Sequence, residues 1–310
     1  MAESGGVMND ENKGSAKACA SANGAAQAST PRIEVAQHAG VCYGVERALA
    51  LAAEAGASQA GPVHTLGPLI HNPIVVKELE SAGVRLANTL DDAPKGTVII
   101  RAHGVVPQVI DEARARGLTV LDATCPYVKK VHLAAEKLVR EGYQLIVVGE
   151  SGHPEVEGIM GHADERARVV AGPDDLLDIE LERKVGVVVQ TTQTISALTA
   201  VTSALLPRVQ ELRVVNTICE ATHERQNSAA ELAGRADVMI VVGGRNSGNT
   251  RRLVQICAER CKRTHHIEDA AEIEAGWFDG AELVGITAGA STPASHIERT
   301  LAAVRTAVGA

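Results

Sequence analysis

The sequence predicts an α/β protein built as three α/β modules around a pseudo-threefold axis, a trefoil enclosing a central cavity. Three observations carry this. From Arg32 onward, short β-branched runs alternate with Ala- and Leu-rich amphipathic stretches, the pattern of parallel sheets covered by helices. A cysteine closes a strand three times, at Cys42, Cys125 and Cys219. After each cysteine, two further strands end in polar loops at recurring offsets: His71, His153 and Ser247 lie 29, 28 and 28 residues on, and His103, Thr191 and Ser291 lie 61, 66 and 72 residues on.

The elements follow in order. Residues 1–31 are small and polar without periodicity and read as a disordered tail, in which Cys19 has no assigned role. Strands are expected at 33–37, 63–66, 97–101, 118–122, 144–148, 185–190, 212–216, 237–242 and 283–287. Each is a short apolar run bounded by Gly, Pro or a polar cluster. Helices are expected at 44–56, 72–82, 107–116, 127–141, 155–161, 195–210, 222–234, 249–261 and 294–307. The cysteine repeat divides the chain into modules 32–117, 118–211 and 212–310, the last with a C-terminal helix. In such sheets ligands sit beyond the C-terminal strand ends, so the three cysteine corners can face one point.

Composition narrows the function. A chain of 310 residues with 45% hydrophobic content supports a substantial core. A net charge of −8 and 2% aromatic content argue against a nucleic-acid partner. No apolar run approaches a membrane span, so no membrane partner is expected. Six scattered cysteines without a secretion signal point to a reducing cytoplasm, where a cysteine at a strand corner is a ligand or a nucleophile.

The three cysteines stand 83 and 94 residues apart, with no C-x-x-C. That spacing does not fit a zinc finger or a ferredoxin run. A three-cysteine catalytic zinc remains possible, and iron–sulfur chemistry suits three thiolates at least as well. A 4Fe-4S cluster held by three thiolates keeps one open iron site. Cys257 and Cys261, one turn apart in an amphipathic stretch, read instead as core packing.

The polar loops suit a diphosphate held without magnesium. His71, His103 and His153 can donate to phosphate oxygens. Ser247 and Asn249, in "GGRNSGNT", and Ser291, in "TAGASTP", sit on turns that open helices and aim N–H groups at an anion. No Walker motif is present. Glu155, in "HPEVEG", is placed to donate a proton from a closed cavity, with Thr191 as a hydroxyl bridge. The remaining histidines, at 38, 64, 132, 162, 223, 265, 266 and 296, read as surface or capping residues.

Taken together, "GVCYGVERA", "IHNPIVVKEL", "RAHGV", "DATCP" with "VKKVH", "GHPEVEG", "QTT", "NTICEAT" with "ERQ", "NSGNTRRL" and "TAGASTP" resemble the 4-hydroxy-3-methylbut-2-enyl diphosphate reductases of the non-mevalonate isoprenoid pathway, from about residue 33 to the end. The resemblance implies a trefoil fold and a 4Fe-4S cluster on Cys42, Cys125 and Cys219. It implies an oxidoreductase that reductively dehydroxylates 4-hydroxy-3-methylbut-2-enyl diphosphate to isopentenyl and dimethylallyl diphosphate. Glu155 would supply the proton, and His71, His103, His153, Thr191, Ser247, Asn249 and Ser291 would hold the substrate. With no G-x-G-x-x-G nucleotide fingerprint, electrons are expected from a partner such as ferredoxin or flavodoxin. One departure stands out: Gly248 occupies a place where many members carry a second serine. A quinolinate synthase-like cluster enzyme is the nearest alternative, but its carboxylate substrates call for arginines, and only Arg101 and Arg245 lie near the loops. A non-catalytic cluster carrier or zinc-stabilised binding protein is the other, and neither needs a ring of polar loops.

Overall fold

Valine and isoleucine runs such as "QLIVV" and "VMIVV" are buried on both faces and form the inner strands of parallel sheets. A computed structural model describes residues 30–58 and 61–309. The expected tail lies outside the described residues except for Thr30 and Pro31, and Cys19 lies outside them too.

The described residues form twelve strands and nine α-helices. The first run is β1 (Arg32–Val35), α1 (Tyr43–Ser58), β2 (Val63–Leu66), α2 (Pro73–Ser81), β3 (Val84–Ala87), β4 (Thr97–Ile100), α3 (Pro107–Ala115) and β5 (Thr119–Asp122). Next come α4 (Pro126–Arg140), β6 (Gln144–Val148), α5 (Pro154–Met160), β7 (Arg168–Val170), β8 (Lys184–Val189), α6 (Ile195–Leu205) and β9 (Glu211–Val214). The chain ends with α7 (Glu220–Ala233), β10 (Val238–Val242), α8 (Gly248–Ala258), β11 (Thr264–Ile267), β12 (Leu283–Ala288) and α9 (Ala294–Val308).

All pairings are parallel and give three sheets of one topology: β3-β2-β4-β5, β7-β6-β8-β9 and β11-β10-β12-β1. The third sheet is closed by the N-terminal strand, in the register Arg32↔Leu283. This corrects the expected module boundaries. Residues 118–122 do not begin a second module but complete the first sheet, with Thr119 opposite Thr97. Residues 212–214 likewise complete the second sheet. Parallel strands need a crossover, so each cysteine-bearing segment finishes one sheet and then sends its helix toward the next. The cysteines therefore stand at junctions between modules.

The nine expected helices form within a few residues of their expected limits, except that 195–210 ends as an α-helix at Leu205 and tightens into a 3-10 turn at Leu206–Arg208 around Pro207. Three strands were not expected: β3, β7 and β11, one at the same place in each sheet. They are edge strands of three or four residues with mixed burial, so they lack the apolar run that marked the inner strands. Each is followed by a 3-10 turn, at Leu90–Asp92, Pro173–Leu176 and Ala270–Glu272, in which a carboxylate (Asp92, Asp175 or Glu272) accepts from the N–H of the residue before the turn (Thr89, Gly172 or Asp269). Apolar clusters fill both faces of every sheet; Ile99, Ile146 and Ile240 are each fully buried. Truncating one of these to alanine is expected to cost about 2–5 kcal/mol. Cys257 and Cys261 pack in the third-module core with Met239 and Leu253, and burial pushes the Cys257 thiol up to about 12. No helix among the described residues is long and apolar enough to cross a membrane.

Candidate active site

Each of the three cysteines leads directly into a helix. Cys125 and Cys219 are the N-caps of α4 and α7, and the Cys42 carbonyl accepts from the Val45 and Glu46 N–H groups as α1 begins. The amides of Tyr127 and Val128 face the Cys125 sulfur, and those of Ala221 and Thr222 face the Cys219 sulfur. Burial nevertheless outweighs these donors, and both thiols are held above their ordinary range. Gly44 lets α1 approach α4: a Cβ there would lie 2.5 Å from the Cys125 sulfur and 4.0 Å from that of Cys42.

Cys42, Cys125 and Cys219 line one cavity together with Glu155, His71, His103, His153, Thr191, Ser247, Asn249 and Ser291. All eleven residues singled out from the sequence thus line the same space, reached from nine strand ends in three modules. Among the described residues, no three His, Cys, Asp or Glu side chains come close enough together to share one metal ion.

The three histidines form a cluster within the same cavity. The His71 and His103 rings are 4.1 Å apart between centroids, and His153 stands edge-on at 5.2 and 5.7 Å. Burial first, and then neighbouring positive charge, pulls His71 and His153 down to about 4 and His103 well below its ordinary value. All three are neutral near pH 7. His153 Nδ1 accepts from the Glu155 N–H at 3.1 Å, which assigns the ring proton to Nε2. Ring nitrogens His71 Nε2 and His103 Nδ1, and both side-chain heteroatoms of Asn249, are buried without a partner. Buried polar atoms left open at one cavity call for a polar ligand.

Acid lability follows from these histidines. Their folded-state pKa is depressed, so their contribution to stability is present above about 6.5 and is lost as pH falls through about 4. The urea midpoint of the apoprotein is expected to fall steadily across that window. A flat profile would show that the rings are not buried in neutral form.

Glu155 is 2% exposed, in the first turn of α5. Its Oε1 accepts from the Thr191 N–H at 2.7 Å and its Oε2 from the Thr191 hydroxyl at 2.9 Å. Burial dominates over these bonds and raises the carboxyl to about 7. Thr191 therefore holds Glu155 directly, and both residues line the cavity.

The loops lock one module to the next. Ser291 Oγ donates to the His71 carbonyl at 3.1 Å, and Asn72, the N-cap of α2, donates to the Ser291 carbonyl at 2.8 Å. Gly244 passes so close that a Cβ would lie 2.5 Å from the His71 carbonyl oxygen. Ser247 caps α8 by accepting from Thr250 N. Glu150 pairs with Arg251 and Arg252 across the second and third modules.

Sequence reasoning missed several neighbours. Thr192 and Thr222 also line the cavity, and Arg101 and Arg251 act electrostatically on His71 and His153. All four lie inside the motifs "QTT", "NTICEAT", "RAHGV" and "NSGNTRRL", but nothing in the spacing assigned them a role at the site. Three of the histidines expected as surface or capping residues are instead buried: His64, His132 and His296. His132 stacks on His162 at 4.3 Å and packs where Gly104 and Gly158 leave room, so aromatic packing offsets the cost of burying a neutral ring.

Comparison with known proteins agrees with this architecture. The 4-hydroxy-3-methylbut-2-enyl diphosphate reductase of Pelobacter propionicus is 50% identical over 262 residues, covering 84% of this chain and 93% of its own. That of Trichlorobacter lovleyi is 49% identical over the same shares. A solved structure of (E)-4-hydroxy-3-methyl-but-2-enyl diphosphate reductase, the terminal enzyme of the non-mevalonate pathway, is 44% identical. It covers 89% of this chain and 99% of its own at a TM-score of 0.67. The E-1-hydroxy-2-methyl-but-2-enyl-4-diphosphate reductase of Plasmodium falciparum, 27% identical, aligns over 88% of this chain and 87% of its own at 0.84. The LytB protein family model matches residues 33–305, every described element but the ends, and on that span the chain belongs to the LytB family.

Proposed function

We propose that this chain reduces 4-hydroxy-3-methylbut-2-enyl diphosphate to isopentenyl and dimethylallyl diphosphate, with a 4Fe-4S cluster held by Cys42, Cys125 and Cys219. The observation that carries this reading is the single cavity that joins three thiols, three neutral histidines and one carboxyl raised to about 7. Three thiols at the starts of three separate helices, with no histidine at the equivalent corners, suit iron–sulfur ligation. When bound, the cluster supplies two electrons in single steps and a Lewis-acidic iron at the position the chain leaves without a ligand.

The chain's own residues handle the diphosphate and the protons. His71, His103 and His153 offer ring N–H groups, and Asn249 offers an unpartnered amide. Ser247 and the start of α8 add a helix N-terminus. The trianionic end of the substrate raises the ring pKa values, so binding draws protons onto the histidines. Glu155 holds a proton near neutral pH. With that proton on Oε2, the Thr191 hydroxyl accepts it and turns its own hydrogen toward the cavity. Breaking the allylic C–O bond consumes two electrons and two protons: one proton leaves with the hydroxyl oxygen as water, and the other ends on carbon at either end of the allyl unit.

Gly248 lines the cavity without a side chain. A Cβ there would meet Thr192 Oγ1 at 3.3 Å and Gln190 Nε2 and His153 Nε2 at 3.6 Å. Gly248→Ser is therefore expected to fold normally and to lower KM for the diphosphate about 2–10-fold at unchanged kcat, the worth of one added hydrogen bond. Steady-state kinetics with a thermal melt checks both parts.

The test of the reading is direct. Protein purified without oxygen should bind roughly four irons per chain. It should turn the substrate into both products when given a low-potential one-electron donor of the ferredoxin or flavodoxin kind. An intact cluster with no turnover overturns the assignment, and stoichiometric zinc in place of iron overturns the cofactor.

A further inference from the structure

Arg225 is a cation buried beside the thiols with no role in the reading above. It lies in α7, six residues after Cys219, and is 4% exposed. One guanidinium nitrogen donates to the Gly40 carbonyl at 2.8 Å, two residues before Cys42. The other donates to the Ala221 carbonyl at 2.6 Å, two residues after Cys219. Its Nε is buried with no partner. Burial is the largest influence on Arg225 and lowers its pKa; among neighbouring groups Cys42 and Cys219 outrank Glu224, a half-exposed carboxylate 3.9 Å from His38.

A buried guanidinium without a carboxylate is costly, and a fold keeps one where an anion will face it. Three thiolates on a dicationic cluster core carry net negative charge, and that charge grows by one on each single-electron reduction. We infer that Arg225 is a positioning residue for the cluster: it ties the Cys42 loop to the Cys219 helix, and its fixed positive charge favours the reduced state. This inference rests on the cluster reading of the three cysteines. Arg225 touches neither substrate nor the reacting atoms, so its effect falls on how readily the site accepts an electron.

The experiment compares the anaerobically reconstituted wild type with Arg225→Gln and Arg225→Lys, by redox titration of the cluster's spectroscopic signal and by the rate of iron loss to a chelator. Removing the charge is expected to shift the one-electron reduction equilibrium about tenfold toward the oxidised state, about 59 mV more negative. Arg225→Gln should also lose iron faster. Arg225→Lys should restore most of the potential, because it keeps the charge while losing the forked contact to both carbonyls. If Arg225→Gln titrates with the wild type, or if lysine fails to rescue, the inference is overturned. If Arg225→Gln holds no iron, rescue of iron binding by lysine supports the charge role and its failure overturns it. A wild-type protein that takes up no cluster overturns the cofactor reading instead, and the two failures are told apart by iron content.

Discussion

Glu155→Gln should lower kcat by about 10²–10⁴-fold, the range for loss of a positioned general acid, while KM stays within a few-fold. The substitution is close to isosteric. The Thr191 N–H can still donate to the remaining oxygen, so the loop and α5 should hold their places. What disappears is the proton carried near pH 7. The wild-type kcat/KM should accordingly fall as pH rises through about 7, and the residual activity of the variant should lack that limb. Stability gives an independent readout. Because the folded-state pKa is raised above its ordinary 4.5, the carboxyl's contribution is fully present below about 4.5 and is lost as pH rises through about 7. Glutamine is neutral throughout, so the variant should gain on the wild type in urea as pH rises from about 4.5 to about 7, with a constant difference above that. A variant with wild-type kcat would assign Glu155 to helix capping alone.

The second large effect is expected at the thiols. Cys125→Ser should lose the cluster, with iron below roughly half the wild-type content and turnover abolished, because a hard hydroxyl is a poor substitute for a soft thiolate on iron. The same change at Cys219 should act alike. Cys257→Ser is the control: that residue is more deeply buried and packs in the third-module core, so its loss should reduce thermal stability and leave iron binding intact. Iron analysis and the visible spectrum of anaerobic samples decide this. Full iron in Cys125→Ser would remove Cys125 from the ligand set.

Much of this site is legible in one dimension, for a physical reason. Parallel sheets bring their strand ends to one side, so a residue type recurring at strand ends, as Cys42, Cys125 and Cys219 do, is bound to recur in space. The inner strands were readable because burial on both faces forces unbroken Val and Ile runs, as in β6 and β10. The edge strands β3, β7 and β11 were not, since a half-exposed strand such as "THHI" has no such constraint. His132 was misjudged for a related reason: a histidine's burial depends on what packs against it, here His162 and two glycines from other segments.

The sequence by itself determined the three-module α/β architecture, the cysteine set and the ring of polar loops, because all of these follow from local runs and their spacing. Only the tertiary structure decided how the chain is divided. β1 closes the third sheet, and β5 and β9 complete the sheets before them, because strand pairing is settled by which edge lies free nearby and not by order along the chain. Tertiary structure also decided the electrostatics. The helix N-termini facing Cys125 and Cys219 favour thiolate, yet burial wins. Burial likewise keeps Glu155 protonated to about pH 7 and the histidines neutral. Desolvation is a property of everything packed around a group, and no stretch of sequence contains it.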